Sequence, residues 1–137
     1  MATDSTIEIR QSPFTWAIDA EYSQAARIGD LVYTAGQGGF DDDGELVSSS
    51  FIDQTRQALR NVEATLASHG ASLQSVIKMT VHVTRPEHYE VFKQVRREFF
   101  RAPWPASTAV SSQLLVEGML IEIEAIAAIG AQRTVVD

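Results

Sequence analysis

Residues 103–128 read PWPASTAVSSQLLVEGMLIEIEAIAA, and the fold turns on the second half of that stretch. From Met119 to Ala127 the odd positions Ile121, Ile123, Ala125 and Ala127 are apolar, while the even side carries Leu120, Glu122, Glu124 and Ile126. Period-two alternation marks a strand with one face in a core. Two carboxylates two residues apart on a strand point the same way, about 7 Å apart. Because Leu120 and Ile126 bracket those acids, something is expected to cover the outer face as well.

The rest of the chain supplies partners for that strand. Ser75 to Thr84 repeats the pattern, with Ile77, Met79, Val81 and Val83 on an expected core side and Val76, Lys78, Thr80, His82 and Thr84 on a mixed side. Tyr22–Ile28 and Leu31–Ala35 are separated by Gly29-Asp30, which suits a two-residue hairpin turn with Gly first. Ile7–Ile9 could add a short strand after a polar lead-in over residues 1–6. Between Gln11 and Tyr22, Pro13, Phe14 and Trp16 weight an irregular connection that is either a packed arm or a site wall. Ser50 suits the N-cap of a helix to about His69, with Ile52, Thr55, Leu59, Val62 and Leu66 on its inner stripe and Gly70 as its C′ residue. A second helix opens at Pro86, turns Tyr89, Phe92, Val95 or Arg96, and Phe99 inward, and stops before Pro103.

The order strand, strand, helix, strand, helix, strand, strand predicts one α/β (α+β) domain over residues 1–137, with a mixed sheet and both helices on one face. The other face mixes Ser107, Ala109, Ser111, Thr80, His82, Glu122 and Glu124 with apolar groups. Copies of the same chain would hide such a face most economically, so a homo-oligomer with clefts at subunit boundaries is expected.

Composition narrows the function classes. The chain has 137 residues, 45% of them hydrophobic, and a formal net charge of -7. That charge argues against nucleic-acid binding, which runs on surplus Lys and Arg. The lack of cysteine removes disulfides, thiol nucleophiles and Cys-based metal sites. No apolar run approaches a membrane span or a signal h-region, so a cytoplasmic location and no membrane partner are expected. His69, His82 and His88 show no ligand spacing, and no metal is predicted. In Gly36-Gln37-Gly38-Gly39 the residue types favour a loop that needs positive φ over one that brings backbone N–H groups to a ligand. Asp41-Asp42-Asp43-Gly44-Glu45 reads as a solvated turn.

The segments Tyr22-Ser23-Gln24-Ala25, Tyr33 to Gln37, Gln54 to Val62, and Pro105-Ala106 through Ile121 to Ala127 together resemble the YjgF/RidA/L-PSP family of reactive-intermediate deaminases, over about Ile7 to Ala128. The resemblance implies a chorismate-mutase-like fold and a homotrimer whose sheets form a central barrel with three inter-subunit clefts. It also implies cofactor-free hydrolysis of enamines or imines. It casts Glu122 as the acid that holds water and shuttles the proton, and Tyr22, Ala35 and Gly36 as cleft residues.

Archetypal members carry an Arg directly after the Pro-Ala pair to grip the substrate carboxylate. Here that position is Ser107, with Thr108 and Trp104 beside it. One neutral hydroxyl replaces a bidentate clamp, so 2-aminoacrylate is not the expected substrate. Lys93, Arg96, Arg97 and Arg101 are expected on a helix surface in water rather than in the cleft. The alternative is a non-catalytic homotrimer that binds a small metabolite or a partner protein. Ribonuclease activity, also known in the family, is disfavoured by the net charge.

Overall fold

A computed structural model describes residues 6–137. All but the last residue of the expected polar lead-in, 1–6, lies outside the described residues. Six strands form one sheet: β1 (Ile7–Glu8), β2 (Ala25–Ile28), β3 (Leu31–Thr34), β4 (Val76–Val83), β5 (Ala106–Ser111) and β6 (Ile121–Ala128). Their spatial order is β1-β2-β3-β6-β4-β5, antiparallel throughout except for the parallel pair β4 and β5. Parallel neighbours need a crossover, and α2 (His88–Arg96) supplies it, while α1 (Phe51–Ala67) carries the chain from β3 to β4. The alternating 119–127 stretch thus becomes the central strand β6, between β3 and β4.

Local chemistry sets the element ends. The hairpin register pairs Ile28 with Leu31, and Gly29 at φ 56 takes the positive angle the Gly-first turn requires. Ser50 caps α1 by accepting the Asp53 N–H. At the other end the Ala71 N–H reaches the Leu66 carbonyl and the Gly70 N–H the Ala67 carbonyl, with Gly70 at φ 82, the Schellman pattern expected of a C′ glycine.

One apolar cluster joins the inner face of the sheet to both helices. Ile121, Ile123, Ala125 and Ala127 of β6 meet Met79, Val81 and Val83 of β4, Leu59, Val62 and Leu66 of α1, and Phe92 and Val95 of α2. Two expected core positions are not there. The register of β4 against β6 shifts between Val76 and Lys78, so this bulge buries Val76 completely and turns Ile77 out, 46% exposed. On α1, Ile52 is 40% exposed, and the buried stripe instead includes Gln54 and Asn61. Both of those polar side chains build the site.

Candidate active site

Strand β3 leaves β6 in an irregular way, and that irregularity makes the site. Regular pairing ends at Tyr33 and Ile126. The Ala125 N–H then donates to the Thr34 hydroxyl at 3.0 Å, and Gln37 and Ile123 exchange two backbone bonds of 2.8 and 2.9 Å. Residues 34–36 therefore lie opposite residues 124–125, a one-residue excess that arches Ala35 and Gly36 out of the ladder. Gly36 lands on the Glu122 side chain, where a Cβ would lie 2.6 Å from Cδ.

The glycines of this loop are needed for space, contrary to the expectation of positive φ. None of Gly36, Gly38 and Gly39 has positive φ. A Cβ at Gly38 would meet Met119 Cε at 2.7 Å, and one at Gly39 would meet Gln54 Cα at 2.6 Å. Asn61 Nδ2 fixes the same loop by donating to the Gly38 and Phe40 carbonyls at 3.0 and 2.9 Å. Gln54 does the matching job for the approach to β6. Its Nε2 donates to the Ser48 and Gly118 carbonyls, and its Oε1 accepts the Leu120 N–H at 2.9 Å. Two amides one helical face apart thus hold both walls, and polar residues inside an apolar stripe were the available signal. The acidic turn is self-contained, with Asp41 Oδ1 accepting the Asp43 and Glu45 N–H groups.

A cavity of about 590 Å³ opens beside Gly36. Tyr22, Ala35, Gly36 and Glu122 line it together, four of the residues expected to act, joined by Trp16 and Met119. The irregular 11–22 connection is therefore a site wall. Among the described residues Glu122 is the only charged side chain lining the cavity. Gln37 is occupied, its Nε2 donating to Gln24 Oε1 at 2.7 Å. Among the described residues the Gly36 N–H has no acceptor. Glu124, on the same face of β6, stands outside this cavity with its carboxylate 3.5 Å from His82 Nε2.

The remaining expected residues lie elsewhere in the chain. Ser107 and Thr108 sit on β5, an edge strand whose six residues are all exposed. Register places Ser107 beside Met79 and Thr108 beside Thr80, so both are across β4 from β6 and offset along it from Glu122. Trp104 borders a separate cavity of about 360 Å³ with Arg133, a residue that sequence reasoning missed. Arg133 donates to the carbonyls of Pro103, Leu73, Gln74 and Val76, pinning the end of the chain across the entries to β4 and β5. Arg96 stacks between Phe92 and Trp104, and Lys93 pairs with Glu90. None of these cations lines the Glu122 cavity.

Fold and cleft together define a class: a small α+β protein whose mixed sheet, backed by two helices, carries one acid in a cleft that is otherwise uncharged among the described residues. Residues 14–129 match the sequence profile of the endoribonuclease L-PSP family, and the chain belongs to that family, the YjgF/RidA proteins its motifs resemble. A "RutC family protein" of Pyrococcus horikoshii is 42% identical over 107 residues, 77% of this chain and 85% of that one. The human "2-iminobutanoate/2-iminopropanoate deaminase" is 32% identical over 114 residues, 82% of this chain and 83% of its own. The crystal structure of RidA from an Antarctic Psychrobacter superposes with a TM-score of 0.77 at 34% identity, over 90% of this chain and 98% of that one.

Proposed function

We propose that the protein is a RidA-like hydrolytic deaminase of enamines and imines, acting without a cofactor, and that Glu122 is its catalytic residue. The observation that carries this reading is the seat of Glu122, packed against Gly36 as the only charged side chain, among the described residues, in a cavity that also offers the Gly36 backbone N–H, unpartnered among those residues. For an enamine, the carboxyl form donates its proton to carbon, giving an iminium. The carboxylate then takes a proton from water as the water oxygen bonds to the iminium carbon. Collapse of the carbinolamine breaks C–N, releasing ammonia and a carbonyl product. The human relative's name describes this reaction class on 2-imino acids.

The substrate differs from 2-aminoacrylate. With Ser107 where archetypal members have Arg, a charge-assisted bond worth about 1.5–3 kcal/mol is lost, roughly tenfold to a few hundredfold in binding. The assembly is a homotrimer in which the exposed edge β5 of one copy, with Trp104, Ser107 and Thr108, completes the Glu122 cavity of the next. An edge strand left bare along its whole length supports that reading, since such edges are ordinarily covered. Ser107 also favours a second reading, a trimer that binds a metabolite without turning it over.

The test is clearance of imines generated in situ from amines and amino acids, with semicarbazide trapping the residue, using wild type, Glu122→Gln and Ser107→Arg. Wild-type clearance of imines lacking an α-carboxylate, abolished in Glu122→Gln, is the expected result. Inert wild type with activity gained only in Ser107→Arg would overturn the reading for this imine panel and leave binding or a substrate outside the panel as the natural role.

A further inference from the structure

The cavity around Glu122 is spacious in the single chain, before the proposed neighbouring β5 enters it. Its volume of about 590 Å³ falls within the roughly 300–1,000 Å³ of sites that take drug-sized ligands. Its wall is built from an aromatic row. Phe14 stacks on Trp16 with centroids 5.6 Å apart, and Trp16 leans on Phe40 at 5.7 Å. Gly44, at φ 76 and itself in the lining, approaches Trp16 so closely that a Cβ there would lie 3.0 Å from Trp16 Cβ. Met119, Leu115 and Val116 close the other side, with Leu115 fully exposed at the mouth. An aromatic wall fixed in advance costs a ligand little ordering entropy.

Charge then decides what kind of apolar ligand enters. Among the described residues Glu122 is the one carboxyl group in the lining and no Lys, Arg or His joins it, so in its carboxylate form it repels a carboxylate on the ligand and attracts a cation. Aromatic faces beside it add to the preference for a cation. Strand β5, proposed above to complete the cleft from a neighbouring copy, reads Ala-Ser-Thr-Ala-Val-Ser and has no charged side chain of its own, while the Lys78 ammonium of the adjoining β4 donates to its Thr108 hydroxyl at 3.4 Å.

We infer that Trp16, Phe40 and Met119 form a specificity wall for the iminium of a bulky, carboxylate-free amine, with an aryl or branched group against Trp16 and nitrogen facing Glu122. This rests on the deaminase reading for its chemistry, which balances as R₂C=NH₂⁺ + H₂O → R₂C=O + NH₄⁺. Water oxygen replaces nitrogen on carbon, and Glu122 relays the protons. The reaction that supplies such a substrate is the oxidation of a primary amine, in contrast to the amino-acid chemistry that supplies 2-imino acids.

Two measurements test the wall and the chemistry separately. Calorimetric titration of the trimer or whatever assembly the full chain forms would use 2-phenylethylammonium, ethylammonium and 3-phenylpropanoate. The first should bind at least tenfold more tightly than either of the others, and should lose at least tenfold in Glu122→Gln and in Trp16→Leu. Met119→Ala, with a smaller loss, serves if Trp16→Leu fails to fold. Turnover would compare the imine of 2-phenylethylamine with 2-iminobutanoate. Preference for the carboxylate probe, absence of 2-phenylethylammonium binding, or faster clearance of 2-iminobutanoate would overturn the inference, the last while upholding the deaminase. Binding of 2-phenylethylammonium with neither imine cleared would uphold the ligand class and overturn the deaminase.

Discussion

Glu122 and Glu124 are the same side chain on the same face of the same strand, yet they live in different chemistry. Glu122 is partly buried under the Gly36 arch at the end of an uncharged cavity. Glu124 is half exposed, beside His82 on the open side of the sheet. Nothing on β6 distinguishes them. The difference is made by β3, which adds one residue between its last ladder pair and the Gln37–Ile123 bridge. A site residue here is defined by an irregularity in the neighbouring strand.

The largest expected effect breaks that difference directly. In Gly36→Ala the new methyl would sit 2.6 Å from Glu122 Cδ and 2.8 Å from Cγ, so the carboxyl must move. Displacing a catalytic group by about 1 Å costs on the order of 100-fold. We expect at least that loss in kcat/KM on the best imine, with the midpoint of thermal unfolding nearly unchanged because Gly36 has no positive φ to protect. Glu124→Gln is the companion, and should change kcat/KM by less than about threefold, as for a surface substitution away from the chemistry. Equal losses at both acids would erase the distinction between them.

Second in size is the support behind the arch. Gln54 is completely buried and makes three hydrogen bonds, to Ser48, Gly118 and Leu120. Gln54→Leu leaves those backbone groups unpaired, at a cost of about 3 kcal/mol, which lowers Tm by about 10 °C in a chain of this size. Because Leu120 is two residues before Glu122, activity on the best imine should fall with it, whereas the thermal unfolding of Glu124→Gln should match wild type.

What could be read in the sequence follows from which forces are local. The β6 alternation, the Gly29-Asp30 turn, the Ser50 cap and Gly70 each depend on residues within a few positions, and each appears in the structure as expected. The bulge that swaps Val76 for Ile77 depends on how β4 meets β6, and no period in β4 announces it. Likewise the four-residue glycine stretch looks like a loop seeking positive φ until its neighbours are present. Only the packing of Glu122, Met119 and Gln54 shows that room was the constraint. Tyr22, Ala35, Gly36 and Glu122 could be joined through the family motifs, and Asn61 lies within one of them, but the jobs of Asn61 and Trp16 emerge only once the loops they touch are packed.

The smallest effect separates the pH dependence of stability from that of the site. His69, at the end of α1, is buried with Nδ1 unpartnered among the described residues. Burial lowers its pKa first, with the positive charge of Arg10 adding to the shift. In the unfolded chain the same imidazole takes its proton near pH 6.5. Between that value and its lower folded pKa, the unfolded state binds a proton that the folded state does not, so stability falls as pH falls through this window. Above about pH 6.5 both states are neutral and the contribution is fully present. His69→Gln should flatten this part of the stability curve in denaturant titrations between about pH 5 and 7. Its pH profile of kcat/KM should keep the wild-type shape, because His69 does not line the Glu122 cavity. A flattened activity profile in that variant would mean that the acid limb of activity belongs to folding and not to the site.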